Sequence, residues 1–292
     1  MLPPAFGHPP PSVPSLLRVA GMRLRSVSYG GGVQSTALLV LAAQHRIDFP
    51  LFIFANTGDD SEYPGTIAYM DEVARPYAAA HDIELVTVHK TYKGKPEGIH
   101  ERIMRPGIVS QIIPVRSSAD GPPMSRSCTV DYKIEQIGKE LRRRGASPET
   151  PATVAVGISL DEMHRANRKN RPYERIVYPL LGMDDGPLLP APMRRDDCER
   201  IIREANLPVP PKSSCYFCPF HTINEWIRQR RDEPDLFAKS VEVERTISAK
   251  AGAPRYLTRT GIPLDQVIPK GVETLPFADD TDADCETGAC MT

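Results

Sequence analysis

Two groups of residues in this 292-residue chain have types and spacing that can do chemistry: a glycine run flanked by hydroxyls, and six cysteines that include Cys215-x-x-Cys218. The glycine run reads Ser28-Tyr-Gly-Gly-Gly-Val-Gln-Ser-Thr36. Glycines let a turn expose successive backbone N–H groups, and a helix starting there adds its N-terminal dipole, so such a turn suits an anion, above all a phosphate. Ser28, Ser35 and Thr36 add hydroxyl donors. An ordinary strand-to-helix turn is the plainer alternative. The segment has neither the lysine of a Walker loop nor the G-x-G-x-x-G spacing of a dinucleotide fold.

Cys215 and Cys218 place two sulfurs within reach of one metal centre, and Pro219 stiffens the chain after them. With Cys128 and Cys198 they make four thiolates, the complement of a 4Fe–4S cluster or of a structural zinc; unligated buried thiols are the third reading. Cys285 and Cys290 lie in an acidic tail from which a thiol can visit a site and exchange sulfur, although neighbouring carboxylates raise a thiol's pKa.

Charged residues gather at the same places. Asp60 and Glu62 follow a strand and can hold Mg²⁺ or a ribose, or sit in a solvated loop. Asp161, Glu162 and Arg165 follow another strand, where carboxylate and guanidinium can share a phosphate or metal, or pair with each other. Lys133 and Arg126 flank Cys128 and offer charge to a substrate phosphate. Arg165, Arg168, Lys169, Arg171 and Arg175 form a basic stretch able to contact a nucleic-acid backbone, with Tyr173 its sole aromatic.

The elements that must position these groups alternate between strand and helix. Leu24–Ser28 reads as a strand, Val33–His45 as an apolar helix, Pro50–Ala55 as a buried strand, Thr66–His81 as a helix and Ile83–His89 as a strand. Residues 91–124 read as a long loop with a helical piece. Val130–Arg144 is helical, Ala152–Ile158 a core strand, Arg175–Leu181 a further strand, and Asp196–Ala205 a helix. Thr222–Ser248 reads as amphipathic helix interrupted at Pro234. The expectation is a doubly wound α/β fold with a mainly parallel sheet.

Its parts are a disordered leader at 1–21 with six prolines, an α/β nucleotide-binding domain at 22–205, a helical cysteine-containing cap at 206–270, and a mobile tail at 271–292 with six acidic residues and no Lys or Arg. Met22 reads as an alternative start. Lys plus Arg (36) nearly balance Asp plus Glu (37), so no global basic field marks the chain as a nucleic-acid coat or membrane-surface protein. No run approaches the roughly 18 apolar residues of a membrane span, and no signal peptide is legible, so a cytoplasmic location with reduced thiols is expected.

Residues 28–36 resemble the pyrophosphate-binding loop of the PP-loop superfamily, whose usual form is Ser-Gly-Gly-x-Asp-Ser. Asn56-Thr-Gly-Asp-Asp-Ser-Glu62, Gly157-Ile-Ser-Leu-Asp-Glu162 with Arg165, and Lys212-Ser-Ser-Cys-Tyr-Phe-Cys-Pro-Phe220 are similar to segments of its PAPS-reductase branch. Gly30 stands where the loop has its first Ser, and Gln34 where it has Asp. The resemblance spans about residues 23–235 and implies an adenine nucleotide alpha-hydrolase-like fold. It further implies that Ser28, Gly30, Gly31, Gly32, Gln34, Ser35, Thr36, Asn56, Thr57, Gly58, Asp60 and Gly157 hold the nucleotide, ATP or PAPS/APS.

In that branch a cluster can be enclosed by cysteines matching Cys128, Cys198, Cys215 and Cys218. The implied chemistry is adenylation of a substrate oxygen with Mg²⁺, served by Ser35, Lys133, Asp161 and Arg165, followed by iron–sulfur-dependent sulfur transfer to tRNA or DNA. A cysteine desulfurase or a thiol reductant protein would be the partner. Two alternatives remain open: reduction of PAPS or APS, in which Cys290 is the candidate nucleophile, and a non-catalytic nucleotide-binding subunit of a modification or defence complex.

Overall fold

The computed structural model describes residues 23–109, 111–166, 169–183, 189 and 191–268. The leader, the acidic tail with Cys285 and Cys290, and Arg168 lie outside the described residues.

Five parallel strands form the sheet: β1 (Arg25–Tyr29), β2 (Leu51–Asn56), β3 (Glu84–His89), β4 (Ala152–Val156) and β5 (Glu174–Val177), in the order β3-β2-β1-β4-β5. β1, β2 and β4 are buried almost throughout, as strands covered on both faces must be. The period of two sorts β2 between the faces. Phe52 and Phe54 pack on one side with Val27, Tyr29 and the helix α1 (Val33–Ala43), whereas Leu51, Ile53 and Ala55 pack on the other with Ile137 and Leu141.

All eleven residues of α1 are buried, which is why it is apolar on every side rather than along one stripe. Beside it on the first face lie α2, residues 64–80, and α5 (Arg195–Glu204). The opposite face is covered by α4, residues 127–143. Both α2 and α4 contain a wide π turn, at Met70–Ala74 and Val130–Ile134. The one in α2 lies just before Pro76, which cannot donate to the carbonyl four residues back and crowds it.

The expected α/β class and parallel sheet are therefore present, with element ends displaced by a few residues. Residues 91–124 contain a small antiparallel pair, Thr91–Tyr92 with Lys95–Pro96, and one helix, α3 (Ile99–Met104). The expected strand Arg175–Leu181 is strand only to Val177, then turns through a short 3-10 segment at Pro179–Leu181. Helices α6 (Ile223–Asp232), α7 (Pro234–Ala251) and α8 (Leu264–Val267) complete the described chain. Thr222 caps α6 and Glu225 reaches back to it, a reciprocal bond pair that the Thr-x-x-Glu spacing encodes.

The C-terminal helices share their core with the long loop. Trp226, Phe237, Val243 and Leu257 pack with Ile99, Ile103, Val115, Tyr132 and Phe217. No helix among the described residues is long and apolar enough to cross a membrane.

Candidate nucleotide and thiol site

The strand order reverses between β1 and β4, and ligands of open α/β sheets bind in the crevice beyond the carboxyl ends of strands at such a point. The glycine run leaves β1 there and the segment beginning at Gly157 leaves β4. Gly31 has a positive φ of 75°, which favours glycine, and a Cβ on it would stand 3.0 Å from Thr66 Cγ2, a tight contact. A Cβ on Gly157 would lie 2.9 Å from Ser35 N and 3.0 Å from Gln34 C, which shows how closely the β4 exit presses on the first turn of α1.

Gly32 is the N-cap of α1 and no side chain caps it, which leaves the helix start to a ligand or to water. Around it the expected donors divide. Ser35 Oγ donates to Gly32 O at 3.0 Å, and the Thr36 hydroxyl bonds to Tyr29 OH at 2.9 Å, on the core side. Ser28 is buried on β1. Gln34 crosses the crevice, its Nε2 donating to Ser159 Oγ at 3.3 Å and Glu162 Oε2 at 3.2 Å.

The loop after β2 is largely satisfied from within. Asn56 accepts from Gly58 N at 2.8 Å and donates to Asp59 at 2.7 Å; Thr57 donates from its N and its Oγ1 to Glu62 Oε1 at 3.2 and 2.7 Å. Asp60 accepts from Glu101 N at 3.0 Å and Ser61 Oγ at 2.7 Å, tying the loop to α3. Burial pushes its carboxyl upward, but bonds from His100, Ser61 and Glu101 N outweigh this and hold it below the usual aspartate range. Asp161 likewise ties elements together, accepting from Ser159 Oγ at 2.9 Å and from Arg195 N, the start of α5, also at 2.9 Å. Among the described residues no group of three or more His, Cys, Asp or Glu converges as a metal site.

The segment 213–216 runs antiparallel along 61–63, with Tyr63 N donating to Ser214 O at 3.0 Å and Tyr216 N to Ser61 O at 3.1 Å. This brings the cysteine pair to the glycine loop. Ser213 Oγ donates to Gly30 O, and Cys215 Sγ lies 3.3 Å from Thr57 Oγ1. Cys218 N donates to Cys215 O at 3.0 Å, closing the C-x-x-C turn. Burial pushes the Cys215 thiol well above its ordinary value, the Glu62 charge adds to this, and Lys133 opposes it. Lys133 is the cation whose charge reaches this thiol.

Cys128 and Cys215 both pack against the C-terminal core. Cys198 does not join them. It is fully buried on α5 in the core formed with α1, where burial, then Asp161 and Asp197, push its thiol up to about 12. α5 thus turns Cys198 into the core formed with α1, apart from the core that Cys128 and Cys215 pack against, and among the described residues no three of the expected ligands converge. Arg165 is buried at the crevice and paired with Glu162.

Sequence reasoning assigned no role to Ser213, to the bond between Ser214 Oγ and His221 Nε2 at 2.9 Å, or to the Thr57–Glu62 pair. Each depends on partners brought together by folding. Only the Ser-Ser preceding Cys215 marked the place.

No protein-family model and no curated protein matches the chain. Among solved structures it is similar to the U34-tRNA thiolase NcsA from Methanococcus maripaludis with its 4Fe–4S cluster, at 16% identity over 77% of this chain and 71% of that one, with a TM-score of 0.39.

Proposed function

We propose that this chain is an adenine-nucleotide-binding enzyme of the PP-loop type that activates a substrate oxygen and replaces it with sulfur, nucleic acid being the substrate class. The observation that carries the reading is the bond from Ser213 to Gly30, which ties the turn bearing the C-x-x-C pair to an uncapped glycine loop at the reversal of the sheet. An anion cradle alone would suit any phosphate binder, and a thiol pair alone would suit many redox proteins. Their contact suits a reaction in which a phosphoryl-activated centre meets sulfur.

In this reading the N–H groups at the start of α1 hold the phosphates and spread the charge of the leaving pyrophosphate. A substrate oxygen attacks the α-phosphorus of ATP, and the bond to pyrophosphate breaks. The outer sulfur of a donor protein's persulfide first passes to Cys215 or Cys218, releasing the donor as its thiol; that outer sulfur then attacks the activated carbon, and AMP leaves with the oxygen. The other cysteine of the pair attacks the S–S bond so formed, freeing the thiolated product and leaving a Cys215–Cys218 disulfide that a thiol reductant returns to two thiols. Lys133, whose charge opposes the rise of the Cys215 thiol, favours the anionic form of whichever sulfur attacks.

The test is incubation of the full chain with ATP, candidate tRNA or DNA, and a persulfide donor carrying labelled sulfur. AMP and pyrophosphate formed in equal amounts, only with acceptor present and with label in the nucleic acid, is the expected result. Sulfite formed from PAPS or APS with a thiol reductant, without acceptor, selects sulfonucleotide reduction instead. Nucleotide binding with no turnover on any acceptor selects a non-catalytic subunit.

A further inference from the structure

Two groups from opposite sides of the crevice converge on one carboxylate. Gln34 Nε2, from the first turn of α1, is 3.2 Å from Glu162 Oε2; Arg165 Nη1 is 2.5 Å from Glu162 Oε1. Arg165 is only 7% exposed and its Nε has no hydrogen-bond partner, whereas the Glu162 side chain is 30% exposed. The contact of Gly157 with the backbone of Gln34 and Ser35 keeps the two sides within reach of each other. A buried guanidinium needs an anion beside it, and an unfilled donor at such a site is a place for another acceptor.

We infer that Gln34 and Arg165 form a phosphoryl subsite of the glycine loop, and that Glu162 is its resident stand-in, which the ligand must displace and which thereby sets polyphosphate affinity. The inference rests on the nucleotide reading above and deepens it. A carboxylate and a phosphoryl group each offer two oxygens to such a pair of donors. Both cannot occupy it, since two anions on one guanidinium repel. Glu162 is the more exposed of the two, 30% against 7%, so the carboxylate leaves and the arginine stays paired. A ligand of higher charge gains more from Arg165, so pyrophosphate and triphosphate displace Glu162 more readily than the single phosphate of AMP. Glu162 is then a specificity-determining residue that favours substrate over product.

The experiment titrates inorganic pyrophosphate, and separately AMP, into the full chain in chelator-treated buffer by calorimetry. Wild type is compared with Glu162→Gln, Glu162→Ala and Arg165→Met, with unfolding temperature recorded for each. Both Glu162 variants are expected to bind pyrophosphate about tenfold more tightly, a change of about 1.4 kcal/mol, and to lose part of the discrimination against AMP. Arg165→Met is expected to weaken pyrophosphate by at least as much. Equal or weaker pyrophosphate binding by the folded Glu162 variants overturns the inference while leaving the nucleotide reading intact. If wild type and all variants bind neither pyrophosphate nor ATP, the nucleotide reading falls and the inference falls with it.

Discussion

The hydroxyl of Ser213 donates to the carbonyl oxygen of Gly30, joining residues that are 183 positions apart. Through this bond the thiol-bearing turn is registered against the anion cradle.

Removing the bond should be felt as affinity before it is felt as stability. Ser213→Ala is expected to weaken ATP by about fivefold, the effect of a hydrogen bond worth about 1 kcal/mol, with little change in unfolding temperature. An equilibrium titration of ATP into the variant checks it, and unchanged affinity would separate the cysteine turn from the nucleotide site.

Gly157→Ala should act on the fold. Its methyl would meet backbone atoms at 2.9 and 3.0 Å, which cannot rotate aside, so β4 and α1 must move apart. A loss of about 1–3 kcal/mol in urea unfolding is expected, accompanied by weaker pyrophosphate binding. A variant as stable as its parent would contradict the close approach.

Cys198 should be silent to thiol reagents in the native protein at pH 8, because burial holds it protonated up to about 12. Peptide mapping after labelling is expected to find it modified only when denaturant is present. Cys198→Ala is expected to leave the content of any bound iron or zinc unchanged while lowering stability by about 1 kcal/mol. Loss of metal in that variant would reinstate the four-cysteine set.

The C-terminal helices should loosen on acidification. His221 packs tilted against Trp226 with ring centroids 4.8 Å apart, and burial pushes its pKa down to about 4, Glu225 opposing and Lys212 adding. Between the unfolded value near 6.5 and the folded value near 4 the unfolded chain binds the extra proton, so stability falls as pH falls through that window. Urea midpoints measured from pH 7 to pH 4 are expected to decline in wild type and to decline less in His221→Phe. Parallel declines would assign the loss to other groups.

The α/β class was legible because its signals are local. Alternating apolar strands, the apolar run of α1 and Pro234 between two helices each depend on neighbours in sequence. The glycine loop was legible for the same reason. Asp60 and Asp161 were not, since a carboxylate after a strand reads alike whether it meets a ligand or, as here, anchors α3 and α5. Gln34 read as a departure from a loop motif, and only the fold supplied its bond to Glu162.

Residue order by itself determined the strand and helix alternation, the turn at Gly30–Gly32 and the C-x-x-C turn, because backbone sterics and hydrophobic period act over a few residues. Tertiary structure decided which core each of the described sulfurs joins. Cys198 was equivalent to Cys128 as a thiol in the sequence, but the apolar face of α5 buries against α1 and carries that sulfur into the sheet's core. Burial of a helix face is settled by the whole set of surfaces competing for the core, and no window of neighbouring residues contains that competition.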